Sequence, residues 1–190
     1  MDTRQLILQV AEQLFMQHGY ASVSMSQIVE EISKTRSLTM PSIYYHFATK
    51  EALYGAVLLE VSERTGRMIA QAAEVQGAMR GRLHAVAGAL GRAKPERFTR
   101  MLLDMNEHLQ PETRQRVGEA FARLIFAPVV RVFADGIASG ELRPDLDPSI
   151  AAGGLFALVS SFDGAEGSAF PVIAPEAAAD LWLDGMWARP

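Results

Sequence analysis

The sequence predicts an all-α protein, and three observations lead to that prediction. Apolar residues recur at the three- and four-residue spacing of one helix face along most of the chain. Glycine, proline and hydroxyl residues stand where these apolar stripes begin and end, as helix caps require. No alternating pattern long enough for a β-strand is present. The 190 residues are sufficient for one or two domains with a proper apolar core.

Composition limits the classes of function open to such a chain. Hydrophobic residues make up 49% and charged residues 21%, which excludes intrinsic disorder. No apolar run reaches the roughly 18 residues of a membrane span, and the N-terminus lacks a signal-peptide pattern, so we expect a cytoplasmic protein without a membrane partner. The absence of cysteine excludes disulfides, cysteine nucleophiles and thiolate metal sites.

The charge distribution argues against a generally basic nucleic-acid-binding protein. The net charge is -4, and residues 1–50 hold four basic and four acidic side chains, so the acidic excess lies after residue 50. Any contact with nucleic acid must therefore come from a local surface rather than from the field of the whole chain.

The first fifty residues predict three helices. An apolar stripe predicts the first from Thr3 to His18, with Gly19 as its C-terminal cap. Ser24 and Gln27 form a capping-box pattern at the start of the second. The polar segment 33–39 is predicted to be a connection, and Pro41 suits the first position of a third, short helix.

The third predicted helix is unusually aromatic. Tyr44, Tyr45, His46 and Phe47 are consecutive, so they point in four directions and cannot all be buried. Three helices of which the last is short and exposed are the layout of a helix-turn-helix DNA reader. Just beyond them, Thr49 has the form of a helix cap, and Lys50 beside exposed amides is a candidate phosphate contact. Each of these residues taken alone is equally compatible with a solvated helix end.

Three blocks in this region together resemble the TetR family of transcriptional regulators. They read LILQVAEQLFMQHGY from Leu6 to Tyr20, SMSQIV from Ser24 to Val29, and IYYHFATKEAL from Ile43 to Leu53. The resemblance implies a helix-turn-helix DNA-binding domain over residues 1–48 and an effector-binding and dimerisation domain over residues 49–190. It implies a homodimeric repressor of double-stranded operator DNA that a small-molecule effector releases.

The resemblance also assigns roles to individual residues. It implies that Tyr44 and Phe47 lock the small domain together, that Tyr45 and His46 contact phosphates, and that Lys50 contacts another phosphate. The full predicted DNA-binding set is Thr39, Met40, Pro41, Ser42, Tyr44, Tyr45, His46 and Lys50. The segment 33–37 lengthens the connection before the third helix relative to the family pattern. This departure leaves an alternative: a helical ligand-binding or enzyme domain with an impaired DNA reader.

Beyond residue 50 the sequence predicts a long helix from Glu51 to about Ala73, and further helices bounded by glycine and proline. One runs from about Glu112 to Ala138, and Pro128 inside it predicts a kink. A nearly uncharged helix follows from Ser149 to about Phe162, and the last helix holds apolar residues at Leu181, Trp182, Leu183, Met186 and Trp187. The resemblance implies that these last two helices pair with their copies in a homodimer.

The central helices carry the candidate effector site that the resemblance implies. Their methionines and phenylalanines favour an apolar or aromatic effector, although such stripes also fill ordinary cores. The candidates are Phe98, Met101, Met105, Phe121, Ile125, Phe126, Val129, Phe133 and Phe156. His84 and His108 lack a second ligand at an obvious metal spacing, and no hydrolase, Walker or metalloprotease motif is present. We therefore predict no metal, no cofactor and no enzymatic activity.

Overall fold

A computed structural model confirms the all-α fold. It describes residues 2–93, 95–161 and 174–184, and for residues 95–100, 102 and 161 it describes the backbone only. The helices are α1 (Thr3–His18), α2 (Met25–Ser33), α3 (Met40–His46), α4 (Lys50–Ala73), α5 (Met79–Arg92), α6 (Pro95–His108), α7 (Pro111–Phe121), α8 (Ala127–Ala138), α9 (Pro148–Ser161) and α10 (Pro175–Asp184).

The predicted caps at the N-terminal end of the chain are confirmed. Gly19 ends α1 with φ of 79°, a left-handed value that suits glycine. The Ser24 hydroxyl accepts the backbone N–H of Gln27 at 3.2 Å, and the Gln27 side chain accepts the backbone N–H of Ser24 at 2.7 Å. Helix α3 begins one residue earlier than predicted, because Thr39 acts as its cap and Pro41 takes the second helical position.

The chain divides into two compact units. Unit 1 comprises the described residues of Met1–Val61 and Arg97–Glu119, and unit 2 comprises those of Ser62–Glu96 and Ala120–Pro190. This division differs from the predicted boundary after residue 48.

The core of unit 1 explains why that unit extends past the three N-terminal helices. Phe15 and Ile43 are buried together with Tyr54 from α4, Met101 from α6 and Val117 from α7. Three helices as short as α1–α3 enclose little apolar volume by themselves, so the later helices complete their core.

In unit 2, helix α10 packs against α5 and α9. Arg80 pairs with Asp180 and with Asp184, and His84 Nε2 lies 2.7 Å from Asp180 Oδ1. Ala178, Ala179 and Leu183 are buried on the inner face of α10, which explains this packing. Met186 and Trp187, which the sequence assigned to this helix, lie outside the described residues.

Just before Pro128, where the sequence predicts a kink, the structure has a π-helical turn, Ala122–Phe126, between α7 and α8. The N–H of Ala127 donates to the carbonyl of Ala122, five residues earlier. Proline has no N–H to offer Leu124, four residues before it, so the α-helical bonding pattern cannot continue there. The wider turn absorbs this mismatch within one continuous helical stretch.

Candidate nucleic-acid interface

Helix α3 is attached to unit 1 by its inner side and leaves its aromatic side to solvent. Ile43 is 0% and Phe47 5% exposed, whereas Tyr45 is 86% exposed. The rings of Tyr45 and His46 meet edge to face with centroids 5.3 Å apart. We call the "α3 surface" the side chains that keep at least partial exposure here, namely Thr39, Met40, Pro41, Ser42, Tyr44, Tyr45 and His46. These are all the predicted DNA-binding residues except Lys50.

One role assigned to this surface does not match the geometry. Phe47 is buried as expected, and the Arg4 guanidinium lies 5.3 Å from its ring centroid. Tyr44, however, is 46% exposed rather than locked into the core. Residues four apart share one helix face, so Ile43 and Phe47 take the inner positions and Tyr44 is rotated away from them.

The lengthened connection between α2 and α3 is a hydrogen-bonded turn. The backbone N–H groups of Thr35 and Arg36 both donate to the carbonyl of Ile32, at 3.0 and 2.9 Å. The Ser33 hydroxyl donates to the carbonyl of Leu38 at 3.3 Å, and Leu38 packs against the unit 1 core. The extra residues are therefore folded onto the end of α2, and α3 still packs against α2.

The start of α4 supplies the remaining predicted contact, Lys50. The Thr49 hydroxyl accepts the N–H of Ala52 at 3.0 Å, which confirms the predicted cap. The Lys50 ammonium lies 4.1 Å from the centroid of the Tyr20 ring. Burial lowers the pKa of Lys50 below its ordinary value, as expected for a cation that has lost part of its hydration.

Tyr20 is a component of this site that the sequence did not single out. Its ring contacts those of Phe15, Tyr54 and His108, with centroids 5.9, 4.8 and 5.0 Å away. Its backbone N–H donates to Asp104 Oδ2 at 2.9 Å. Burial, and secondarily the charge of Glu51, raises the pKa of Tyr20. Its position after Gly19 was visible in the sequence, but its partners on α6 were not.

The predicted effector residues are distributed over both units. Met101 and Met105 are buried in the core of unit 1, where they fit the alternative of a filled core. Three others are almost fully buried in unit 2: Ile125, Val129 and Phe133. The side chain of Phe98 lies outside the described residues.

The remaining three candidates form an aromatic group in unit 2. Phe156 on α9 contacts both Phe121 and Phe126, with ring centroids 6.0 and 5.8 Å apart, and all three are partly exposed. In a regular α-helix, residues five apart point in different directions. The π turn between Phe121 and Phe126, with its five-residue bonding, brings both rings to α9.

Unit 2 also contains an open cleft of ≈ 540 Å³ between the end of α4, α5 and the start of α10. The apolar side chains of Met68 and Val75 line the cleft on the α4 side. On the α5 and α10 sides the lining includes the polar side chains of His84, Arg92 and Glu176. None of the eight predicted effector residues whose side chains the structure describes lines this cleft. Within the described parts of the chain, no three His, Asp or Glu side chains are grouped to hold a metal ion, and no helix there is long and apolar enough to span a membrane.

Comparisons with known proteins agree with this geometry. The family model for bacterial regulatory proteins of the tetR family matches residues 7–57, which include α2, α3 and the start of α4. The HTH-type transcriptional repressor AcnR of Corynebacterium glutamicum is 26% identical over 148 residues, covering 76% of this chain and 71% of AcnR.

Two solved structures share the fold over the whole chain. A tetR-family regulatory protein from Rhodococcus RHA1 superimposes with a TM-score of 0.80 at 20% identity, covering 100% of both chains. AibR, in complex with isovaleryl coenzyme A and operator DNA, does so with a TM-score of 0.72 at 19% identity, also covering 100% of both. The matched helix-turn-helix segment, the repressor relative and the all-α fold lead to one conclusion: this chain belongs to the TetR family of DNA-binding transcriptional regulators.

Proposed function

We propose that this regulator is a homodimeric repressor that binds operator DNA through the α3 surface and the first turn of α4. The observation that carries the proposal is Tyr45, which is 86% exposed on a helix whose inner residues are buried. A large aromatic side chain held in solvent by a rigidly packed helix is costly to leave uncovered. Contact with a DNA groove and its flanking phosphates would cover it.

The start of α4 supports a phosphate contact next to that surface. The first N–H groups of a helix have no partner within the helix, and the helix dipole favours a negative charge there. The Thr49 hydroxyl accepts the N–H of Ala52. The N–H groups of Lys50 and Glu51 lie in the first turn of α4, where the helix offers them no carbonyl four residues earlier. A phosphate could therefore bind both the free amides and the Lys50 ammonium.

Two exposed apolar residues support the homodimer. Ile150 on α9 is 72% exposed and Leu181 on α10 is 68% exposed. Both belong to the helices that we propose to pair with their copies in the second subunit. A two-fold dimer would set two α3 surfaces about 34 Å apart, one turn of DNA, and would match a palindromic operator.

We propose the group of Phe121, Phe126 and Phe156 as the effector contact, and a small apolar or aromatic molecule as the effector. Three partly exposed rings in mutual contact offer both apolar area and stacking faces. AibR, with the same fold, was solved with an acyl coenzyme A ligand as well as DNA. Release requires that the effector bind the DNA-incompetent state more tightly than the DNA-competent one.

Operator binding is tested by fluorescence anisotropy with labelled DNA that flanks the gene of this protein. The double variant Tyr45→Ala, Lys50→Ala is expected to lose at least about a hundredfold in affinity for the dimer, since each contact is worth on the order of 1 kcal/mol per subunit. Arg143→Ala, in the loop before α9, removes the same charge from unit 2 and serves as the matched control. Equal binding by the wild type and the double variant would contradict the assignment.

The effector proposal needs a separate measurement. A small-molecule library is screened for compounds that raise the melting temperature, and the hits are then tested for release of bound DNA. Phe126→Ala should abolish both effects while operator binding persists, and Val75→Ala, in the polar cleft of unit 2, should leave both intact. If Val75→Ala prevented the compounds from releasing DNA and Phe126→Ala did not, the effector would bind in that cleft instead.

A further inference from the structure

We infer that Tyr20 is a positioning residue for DNA binding: its ring holds the Lys50 ammonium in place for a backbone phosphate before DNA arrives. This inference rests on the phosphate contact proposed above for Lys50. It adds a residue that lies in the loop after α1 rather than on α3 and that is not in the predicted DNA-binding set.

The contact itself has the geometry of a cation–π interaction. The Lys50 ammonium lies 4.1 Å from the Tyr20 ring centroid, well inside the roughly 6 Å over which such attraction is effective. The ring cannot turn away easily, because it is packed against Phe15, Tyr54 and His108. Its backbone is held as well, since the Tyr20 N–H donates to Asp104 at 2.9 Å.

A fixed ring removes an entropic cost that lysine normally brings to a phosphate contact. A free lysine side chain loses rotamer freedom when it is immobilised, and part of that loss has already occurred when the protein folds. The ring attracts the ammonium through its face without accepting a conventional hydrogen bond. Lys50 remains partly exposed, so its N–H donors on the solvent side stay available for a phosphate oxygen.

The same contact could in principle act in the opposite sense, by competing with the phosphate for the ammonium. Positioning is favoured because Lys50 occupies the first residue of α4, beside the free amides that would bind the same phosphate. An ammonium held at that point needs no large movement to reach the anion. The two senses predict opposite changes in affinity when the ring is removed.

The test is a double-mutant cycle on operator affinity with Tyr20→Leu and Lys50→Gln. A cation–π contact of about 1 kcal/mol corresponds to a factor of about five, so Tyr20→Leu should weaken binding about fivefold for each subunit engaged. In the Lys50→Gln background the same substitution should have no further effect. Tyr20→Phe keeps the aromatic ring and should bind the operator with wild-type affinity. A general packing defect in Tyr20→Leu would not depend on the presence of Lys50.

Three outcomes overturn the inference. Additive losses in the cycle would show that the two side chains act independently, and tighter binding by Tyr20→Leu would show that the ring competes with DNA. Unchanged binding by Lys50→Gln alone would refute the proposed phosphate contact itself and the inference with it. The first two outcomes would refute only the positioning role of Tyr20 and leave the phosphate contact of Lys50 in place.

A measurement on the wild-type protein covers the case in which Tyr20→Leu does not fold. A side chain above an aromatic face shows an upfield ring-current shift, so the Lys50 ε-protons are expected at unusually high field in the free protein. The shift should persist, and the signals should sharpen or remain single, when operator DNA is added. Return of these protons to ordinary lysine positions in the DNA complex would overturn the inference.

Discussion

A methyl group added at Gly66 should destabilise unit 2 even though alanine is the better helix former. Gly66 lies within α4, where Gly→Ala ordinarily gains up to about 1 kcal/mol of helix propensity. A Cβ there would lie 2.8 Å from the carbonyl oxygen and 2.9 Å from the Cβ of Leu124 in the π turn. The carbonyl oxygen belongs to the main chain and the Cβ is bonded directly to it, so neither atom can rotate away. The clash is removed only if α4 and the π turn move apart.

The magnitude follows from two opposing terms. Overpacking of this kind costs about 1–3 kcal/mol, and contact with backbone rather than with a flexible side-chain end places Gly66→Ala at the upper part of that range. After the propensity gain is subtracted, the expected loss is about 1–2 kcal/mol. For a chain of this size it lowers the melting temperature by roughly 2–8 °C.

Gly118→Ala provides the matched control. This glycine lies inside α7, and a Cβ there would meet no atom within 4 Å in the part of the chain that the structure describes. The propensity term therefore acts alone, and the variant should be more stable by about 0.5–1 kcal/mol. Both variants are compared with the wild type by urea unfolding at fixed protein concentration. Equal stabilisation by the two substitutions would refute the close approach of α4 to the π turn.

Three further predictions concern unit 1. Ser24→Ala removes the hydroxyl that accepts the N–H of Gln27 and should cost about 1 kcal/mol in urea unfolding, while the backbone N–H of residue 24 keeps its bond to the Gln27 side chain. Tyr54→Phe removes the hydrogen bond to the carbonyl of Met101 at 3.1 Å and should cost about 1 kcal/mol. Because burial raises the pKa of Tyr54 above its ordinary 10.0, the stability from its neutral form is complete below that pH and declines as the pH rises further; Tyr54→Phe should flatten that alkaline decline. Lys50→Gln should reduce the slope of log affinity against log salt by about 0.9 per bound subunit, and an unchanged slope would argue against its phosphate contact.

The features that sequence reasoning predicted correctly are local ones. The bounds of α1, the capping box of Ser24 and the Thr49 cap each depend on residues within four positions of one another. Pro128 likewise predicted a break in helical bonding, because its missing N–H is a property of the residue itself. Which form the break takes was not predictable, since a π turn and a kink satisfy the same local constraint.

The features that the sequence did not predict depend on contacts between distant parts of the chain. Tyr20 meets Asp104 and His108 only after α6 folds onto the N-terminal helices. Met101 and Met105 were predicted to line an effector site, because a helical stripe has the same periodicity whether it faces a cavity or a core. Their burial in unit 1 comes from the need of three short helices for additional apolar partners.

The weak field of this chain gives the placement of single cations particular importance. With a net charge of -4 and balanced charges over residues 1–50, long-range attraction to DNA contributes little. One of the few cations near α3, Lys34, is already paired with Glu31 at 2.7 Å. Affinity for DNA must then come from short-range contacts whose geometry already exists in the free protein. A cation that is not yet in place must be ordered when DNA binds, and the entropy lost in ordering it weakens binding. A lysine held on a fixed aromatic ring at a helix N-terminus meets that requirement, which is why we expect Tyr20 to influence operator affinity without reaching the DNA.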